Sequence, residues 1–248
     1  MPRLSFIIPA YNEEKWIGRS ISAIHRSAAP HAVKYEVIVV DNNSTDDTEQ
    51  RATEKGARVV LEPVRQISRV RNRGAAAANG DVLIFVDADT LVNEQLVGQT
   101  ARLMCSDEAV GGGATVRSDR SLRDALETGM QVWNTISVRF RLAAGSYLFC
   151  RRDVFEALNG FNERMYAAEE IDLSLRLKRR GARLNLPFVI IQEAPVITSA
   201  RKTEWYSGYT LLLNFFMSIF FPWAVYFKTL CGFWYDRPEE PDRDREDR

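Results

Sequence analysis

The sequence predicts an α/β fold in which a mostly parallel sheet is covered by helices on both faces. Short β-branched runs alternate with longer amphipathic segments through the first half, and each run ends in a loop crowded with polar residues. The composition is that of a globular chain, 46% hydrophobic and 27% charged over 248 residues, enough to bury a full core.

The runs Leu4–Ile8, Glu36–Val40, Arg58–Leu61 and Val82–Val86 read as strands, because they are brief, rich in Val and Ile, and bounded by turn residues. Between the first two, Asn12 is placed to cap a helix whose Ile17, Ile21 and Ile24 share one face. A second helix is expected from Ser44 to Gly56 and a third over Ile67–Ala78. Downstream, the pattern predicts a helix from Asn93 to Met104, a strand near Ala109–Val116 and a long helix over Leu122–Leu142. A strand over Tyr147–Cys150 and a short helix over Asp153–Leu158 follow, then a helix from Glu169 closed by Gly181 and a last strand at Phe188–Ile191. Gly111-Gly112-Gly113 lacks the Lys and Ser or Thr of a phosphate loop and reads as a flexible strand edge. In a parallel sheet, ligands bind where the carboxyl ends of the strands open onto loops, here Pro9–Glu13, Asp41–Asp47 and Asp87–Thr90.

Lys plus Arg and Asp plus Glu both number 33, so the chain is formally neutral and has no basic footprint for nucleic acid. Cys105, Cys150 and Cys231 stand far apart, which fits a reducing compartment. The apolar stretch Leu4–Pro9 is too short for the core of an export signal. A cytoplasmic location follows as the expectation.

Asp87 and Asp89 close the apolar strand Val82–Val86. In extended chain their side chains point the same way, and two like charges in one space call for a cation, Mg²⁺ or Mn²⁺ by the hardness of their oxygens; the alternative is a solvated turn, which their place after an apolar strand disfavours. Asp41 stands at the end of the second strand, able to accept from a base or ribose, with Ser44 expected to cap the next helix. Arg69, Arg71 and Arg73 either balance a diphosphate or face water; their spacing does not decide which.

Taken together, Ser5 to Glu14, Val40-Asp41-Asn42-Asn43-Ser44-Thr45-Asp46, Arg71-Asn72-Arg73-Gly74 and Asp87-Ala88-Asp89 resemble, in order, the motifs of the inverting family 2 glycosyltransferases of GT-A fold. The resemblance runs over about residues 4 to 185 and implies a Rossmann-type GT-A domain. It implies a nucleoside diphosphate sugar donor, read as a UDP-sugar, held by Pro9, Ala10, Tyr11, Glu13, Asp41, Arg71 and Asp87, with Asp89 and Asp87 on the metal. Gly145-Ser146 and the following Arg151-Arg152 are similar to the stretch that shapes the sugar and acceptor pocket.

Ala168-Glu169-Glu170-Ile171-Asp172 looks like the start of the family's catalytic helix, with Glu170 where the family usually has its base Asp. Asp172 is the second candidate. Helical spacing leaves open a salt-bridged surface stripe of Glu169, Asp172 and Arg176. Many members place a metal-ligating His downstream; here the sequence reads Ser199-Ala200-Arg201-Lys202, and Arg201 either adds cationic charge at the diphosphate or flanks a membrane segment. The missing His and the Glu at the base position keep a non-catalytic, sugar-nucleotide-binding partner subunit as the alternative.

The expected organisation is a glycosyltransferase domain over 1–200, an aromatic apolar helical segment over 201–235 and a charged disordered tail over 236–248. The apolar run Leu211–Phe227 would span about 25 Å as a helix, short of a ~30 Å hydrocarbon core, and Pro222 would kink it. It is read as an interfacial membrane contact, which would favour a lipid-linked hydroxyl acceptor, or as a core or homodimer helix, with a true membrane span as the third reading.

Overall fold

A computed structural model describes residues 3–122, 124–201 and 225–235. The first half runs β1 (Leu4–Ala10), α1 (Ile17–Ala28), β2 (Tyr35–Asp41), α2 (Thr48–Glu54), β3 (Arg58–Leu61), α3 (Ile67–Ala77) and β4 (Val82–Val86). Then follow β5 (Thr90–Leu91), α4 (Glu94–Cys105), β6 (Gly111–Ser118), α5 (Asp124–Phe140), β7 (Tyr147–Arg151), α6 (Arg152–Ala157), α7 (Glu169–Leu184), β8 (Phe188–Thr198) and a final turn α8 (Gly232–Tyr235). The sheet order is β3-β2-β1-β4-β7-β6-β8-β5. Strands β1 to β4 are mutually parallel, as are β6 and β8, whereas β7 runs antiparallel to both neighbours and β5 runs antiparallel to β8.

Side-chain alternation along the strands feeds two cores. Phe6, Ile8, Val37, Val39, Ile84 and Phe149 face α1 and α4, meeting Ile17, Ile21, Ile24, Leu96 and Val97. Ile7, Ile38, Val40, Leu83 and Phe85 point the other way, toward Val70 of α3 and Leu173 and Leu177 of α7. Each such buried side chain contributes roughly 1.5–3 kcal/mol, so a one-residue slip of register would exchange the two faces and is excluded. Pro9 lies within β1, which is flanked on both sides. The ladder to β4 stops at the Ile7–Phe85 pair, so the missing N–H of Pro9 costs no bond there.

Several local expectations are corrected. Asn12 does not cap α1, which starts at Ile17; with φ +52° it turns the chain and accepts from the Thr45 amide at 2.8 Å. Ser44 does not cap α2; its hydroxyl accepts from the Asn12 amide, and Asp46 takes the Thr48 amide at 3.1 Å. Helix α7 passes through Gly181 and ends at Leu184, with Asn185 left-handed at φ +56°. Gly181 serves close packing, since a Cβ there would run into the Leu186 carbonyl and Val110. The glycine run is interior sheet, between β7 and β8, where a Cβ on Gly112 would collide with the Val189 carbonyl. The last strand extends from Phe188 to Thr198.

Most of the aromatic segment and the whole charged tail lie outside the described residues. Within 225–235, Val225, Cys231 and Tyr235 pack on Met165 and Ala167. Among the described residues no helix is long and apolar enough to cross a membrane.

Candidate functional site

The carboxyl ends of β1, β2 and β4 open on one rim of the sheet. There the loops after β1 and β2 are laced together, because each supplies acceptors for the other's backbone. The Asn12 amide donates to Ser44 Oγ at 3.0 Å, the Glu13 amide to Thr48 Oγ1 at 2.7 Å and the Glu14 amide to Asp46 Oδ2 at 3.1 Å. This fixes Pro9, Ala10 and Tyr11 beside Asp41, which pairs in register with Ala10. Asp41 is 5% exposed. Its Oδ2 accepts from the Ser44 amide at 3.1 Å, while Oδ1 is buried with no partner among the described residues. Arg65 lies over the Tyr11 ring, its guanidinium carbon 3.8 Å from the centroid, and donates to the Tyr235 carbonyl at 2.8 Å. Nothing in the local sequence distinguished Arg65, since the contact joins the loop after β3 to the one after β1.

Arg71 forms a buried node. From α3 it donates Nη1 to Glu169 Oε1 at 2.7 Å and Nη2 to Asp87 Oδ1 and the Gly145 carbonyl, both at 3.1 Å. Arg71 and Glu169 are each only 4% exposed at the side chain. Burial pulls the guanidinium pKa down, but the charges of Glu169, Asp87 and Glu170 outweigh it and hold Arg71 above its ordinary value. The three basic residues therefore divide: Arg71 is internal, while Arg69 reaches Glu62 and Glu163 at the surface and Arg73 is exposed.

Glu170 stands beside this node. A Cβ on Gly145 would lie 2.9 Å from Arg71 Nη2 and 3.7 Å from Glu170 Cδ, so the glycine leaves space next to both. Burial, and then the negative charge of Glu169, push the Glu170 carboxyl up to about 7 against the pull of Arg71. Asp172 is turned to Arg176, whose Nε it holds at 2.7 Å, and Arg176 also donates to the Leu158 carbonyl. The surface stripe is thus an Asp172–Arg176 pair only; Glu169 belongs to the interior.

The two aspartates after β4 part company. Residues 87–89 form a turn rather than extended chain, with the Thr90 amide donating to the Asp87 carbonyl at 3.1 Å, so the shared direction expected of i and i+2 is replaced by separate guanidinium partners. Asp87 meets Arg71, and Asp89 accepts from Arg201 Nε at 3.0 Å. Arg201 Nη2 also donates to Glu13 Oε1 at 2.6 Å. Arg201, Glu13 and Asp89 are all buried. They meet because β5 follows Asp89 directly and pairs with the end of β8, Thr90 opposite Thr198.

Among the described residues no group of three or more His, Cys, Asp or Glu side chains forms a metal cluster. The charge of the rim nevertheless suits a divalent cation. Glu13, Asp87, Asp89 and Glu169 gather four carboxylates there, with Arg71 and Arg201 among their ion-pair partners. The oxygen donors are hard, as Mg²⁺ or Mn²⁺ requires.

Arg151 and Arg152 do not join the site. Because β7 is antiparallel to β4, Arg151 pairs with Val82 while Tyr147 pairs with Val86, which puts the two arginines roughly 14 Å back along the strand. There they bind Asp107, Asp153 and Glu156.

Residues 5–158 match the family description "Glycosyl transferase family 2". The chain belongs to that family. It is 28% identical over 203 residues to Glycosyltransferase AglE of Haloferax volcanii, an alignment covering 77% of this chain and 66% of AglE. The mannosyltransferase PcManGT of Pyrobaculum calidifontis, solved with GDP-Man and Mn²⁺, superposes with a TM-score of 0.67 at 18% identity, covering 97% of this chain and 66% of that one. S. aureus TarS in complex with UDP-GlcNAc superposes with a TM-score of 0.59 at 19% identity, covering 79% and 58%. These likenesses identify the fold as GT-A. The chain spans 66% and 58% of the length of the first curated relatives it matches.

Proposed function

We propose that this family 2 chain transfers a sugar, with inversion, from a nucleoside diphosphate donor to a hydroxyl acceptor, and that the reaction needs Mg²⁺ or Mn²⁺. The observation that carries the reading is the placement of Glu170, a carboxyl with a pKa near 7, beside the Arg71–Asp87 pair at the rim where the donor loops converge. A general base works best when its pKa lies near the operating pH, which favours a catalytic role for this group over binding alone. PcManGT and TarS, solved with nucleotide sugars, support the donor class.

Asp41 accepts from the nucleobase. One of its oxygens accepts from the Ser44 amide and the other has no partner among the described residues, which leaves an acceptor for a base N–H. Uracil presents such a group in its imide N–H, and TarS, a neighbour in fold, is solved with UDP-GlcNAc. The donor is therefore read as a UDP-sugar, with Pro9, Ala10 and Tyr11 walling the nucleoside and Arg71 orienting Asp87. Asp89, with Asp87, would hold the divalent cation, which supplies positive charge to the departing diphosphate. Glu170 takes the proton of the acceptor hydroxyl, in the space that Gly145 leaves open. Arg201 adds cationic charge beside the diphosphate.

The acceptor is proposed to be lipid-linked, on the strength of the aromatic sequence between Trp205 and Trp234. Flotation with anionic liposomes, compared with a chain ending before Trp205, tests that part; equal behaviour of the two would remove its support. The reaction is tested by incubating UDP-, GDP- and CDP-sugars with Mn²⁺ and measuring nucleoside diphosphate release. Release from UDP-sugars that disappears in Glu170→Gln, with UDP binding retained, is the expected result. Absence of release from every donor, or full release by Glu170→Gln, would overturn it.

A further inference from the structure

Arg201 has a second consequence for the order in which the site fills. Its guanidinium holds Asp89 Oδ2 at 3.0 Å and Glu13 Oε1 at 2.6 Å, and both carboxylates are buried with it. The three groups come from the ends of β1, β4 and β8. The backbone fixes them there, with the Ser199 amide donating to the Asp89 carbonyl at 3.2 Å and the Ala200 amide to Asp119 Oδ1 at 3.0 Å. Two buried acids lie beside one buried guanidinium, and Asp89 Oδ2 is engaged before any ligand arrives.

We propose that Arg201 is a latch on Asp89, so that the donor-free enzyme binds its divalent cation weakly and takes it up together with the nucleoside diphosphate. The proposal rests on the reading of Asp89 as a metal ligand given above. A cation arriving alone would meet Asp89 with its Oδ2 held by Arg201 and would place a second positive charge beside that buried guanidinium, which is unfavourable. A diphosphate changes the balance, because its oxygens accept the forked N–H groups of an arginine at least as well as a carboxylate does. Arg201 can then exchange Asp89 for phosphate while Glu13 keeps hold of its other end. Asp89 is released at the moment when diphosphate oxygens become available as further ligands. Arg201 acts on the metal through Asp89, and is a positioning residue in that role.

The test is Mn²⁺ binding, read from the electron paramagnetic resonance of free Mn²⁺, for the wild-type chain and Arg201→Gln, each with and without UDP. Expected is weak binding by the nucleotide-free wild type, tightening at least tenfold with saturating UDP. Arg201→Gln should bind at least tenfold tighter than wild type without nucleotide, with most of the UDP effect gone. Arg201→Lys, which keeps the charge, should remain weak without UDP. Should Arg201→Gln fail to fold with Glu13 and Asp89 unpaired, Glu13→Gln/Arg201→Gln removes one buried charge and is measured in its place. UDP-dependent binding by wild type with no change in the nucleotide-free affinity of these variants would overturn the latch and leave the metal reading standing. No Mn²⁺ binding by any form, with UDP or GDP present, would overturn the metal reading itself.

Discussion

Arg71 Nη1 donates to Glu169 Oε1 at 2.7 Å inside the protein, joining α3 to the first turn of α7. The second nitrogen of the same guanidinium reaches Asp87 and the Gly145 carbonyl, so one side chain ties the loop after β4 to the start of the helix that carries Glu170. One buried charge pair therefore positions both Asp87 and the start of the helix that carries Glu170, with consequences expected for stability and for turnover.

Removing one partner of that pair leaves the other charge buried. Arg71→Ala is expected to lower stability by about 3–5 kcal/mol, measured by urea unfolding. Arg71→Met combined with Glu169→Gln should recover a large part of the loss, because neither variant position then carries an uncompensated charge. Strictly additive losses would contradict the pairing.

Glu170 gives a pH dependence with a definite sign. With its pKa raised to about 7, the fraction of enzyme with a deprotonated base, and with it kcat, should rise through pH 7 and level above it. Glu170→Gln should lose about 10²–10⁴-fold in turnover and the rising limb with it. Stability runs the other way: between the unfolded value, near 4.5, and 7 the folded state holds the proton and the unfolded state does not, so stability from this group falls as pH rises. Glu170→Gln should accordingly melt higher than wild type at pH 8 and nearly with it at pH 4.5. A thermal shift independent of pH would remove Glu170 as the group responsible.

Asp89→Asn tests the cation. It should abolish Mn²⁺- or Mg²⁺-dependent nucleoside diphosphate release while leaving the circular dichroism spectrum intact, since Asp89 lies outside both apolar clusters and Arg201 keeps Glu13 as its buried partner. Undiminished metal-dependent release would sink its role as ligand.

Gly145→Ala places a Cβ 2.9 Å from Arg71 Nη2 and close to Glu170, so the guanidinium must give way. A displacement of the base or of Asp87 by a fraction of an ångström should lower turnover by about 10–10²-fold, with a melting temperature close to wild type. Unchanged steady-state kinetics would mean that the site tolerates movement of Arg71.

The sequence by itself determined the layers of the fold and the order of the motifs. Strands such as Val82–Val86 and helices such as Ile17–Ala28 announce themselves through local periodicity, and Asp41 and Asp87 stand at strand ends whatever the strands later pair with. Only the tertiary structure decided which charges meet. Arg201 and Asp89 are 112 residues apart and come together through the pairing of β5 with β8, a strand of two residues with no sequence signature of its own. The antiparallel insertion of β7 sends Arg151 and Arg152 to the opposite end of the sheet while keeping Gly145 at the rim. Glu169 and Asp172 look alike at helical spacing, yet one is buried on Arg71 and the other bridges to Arg176. Periodicity fixes which face of an element is apolar; the partner of a charged side chain depends on long-range strand pairing, which no local pattern encodes.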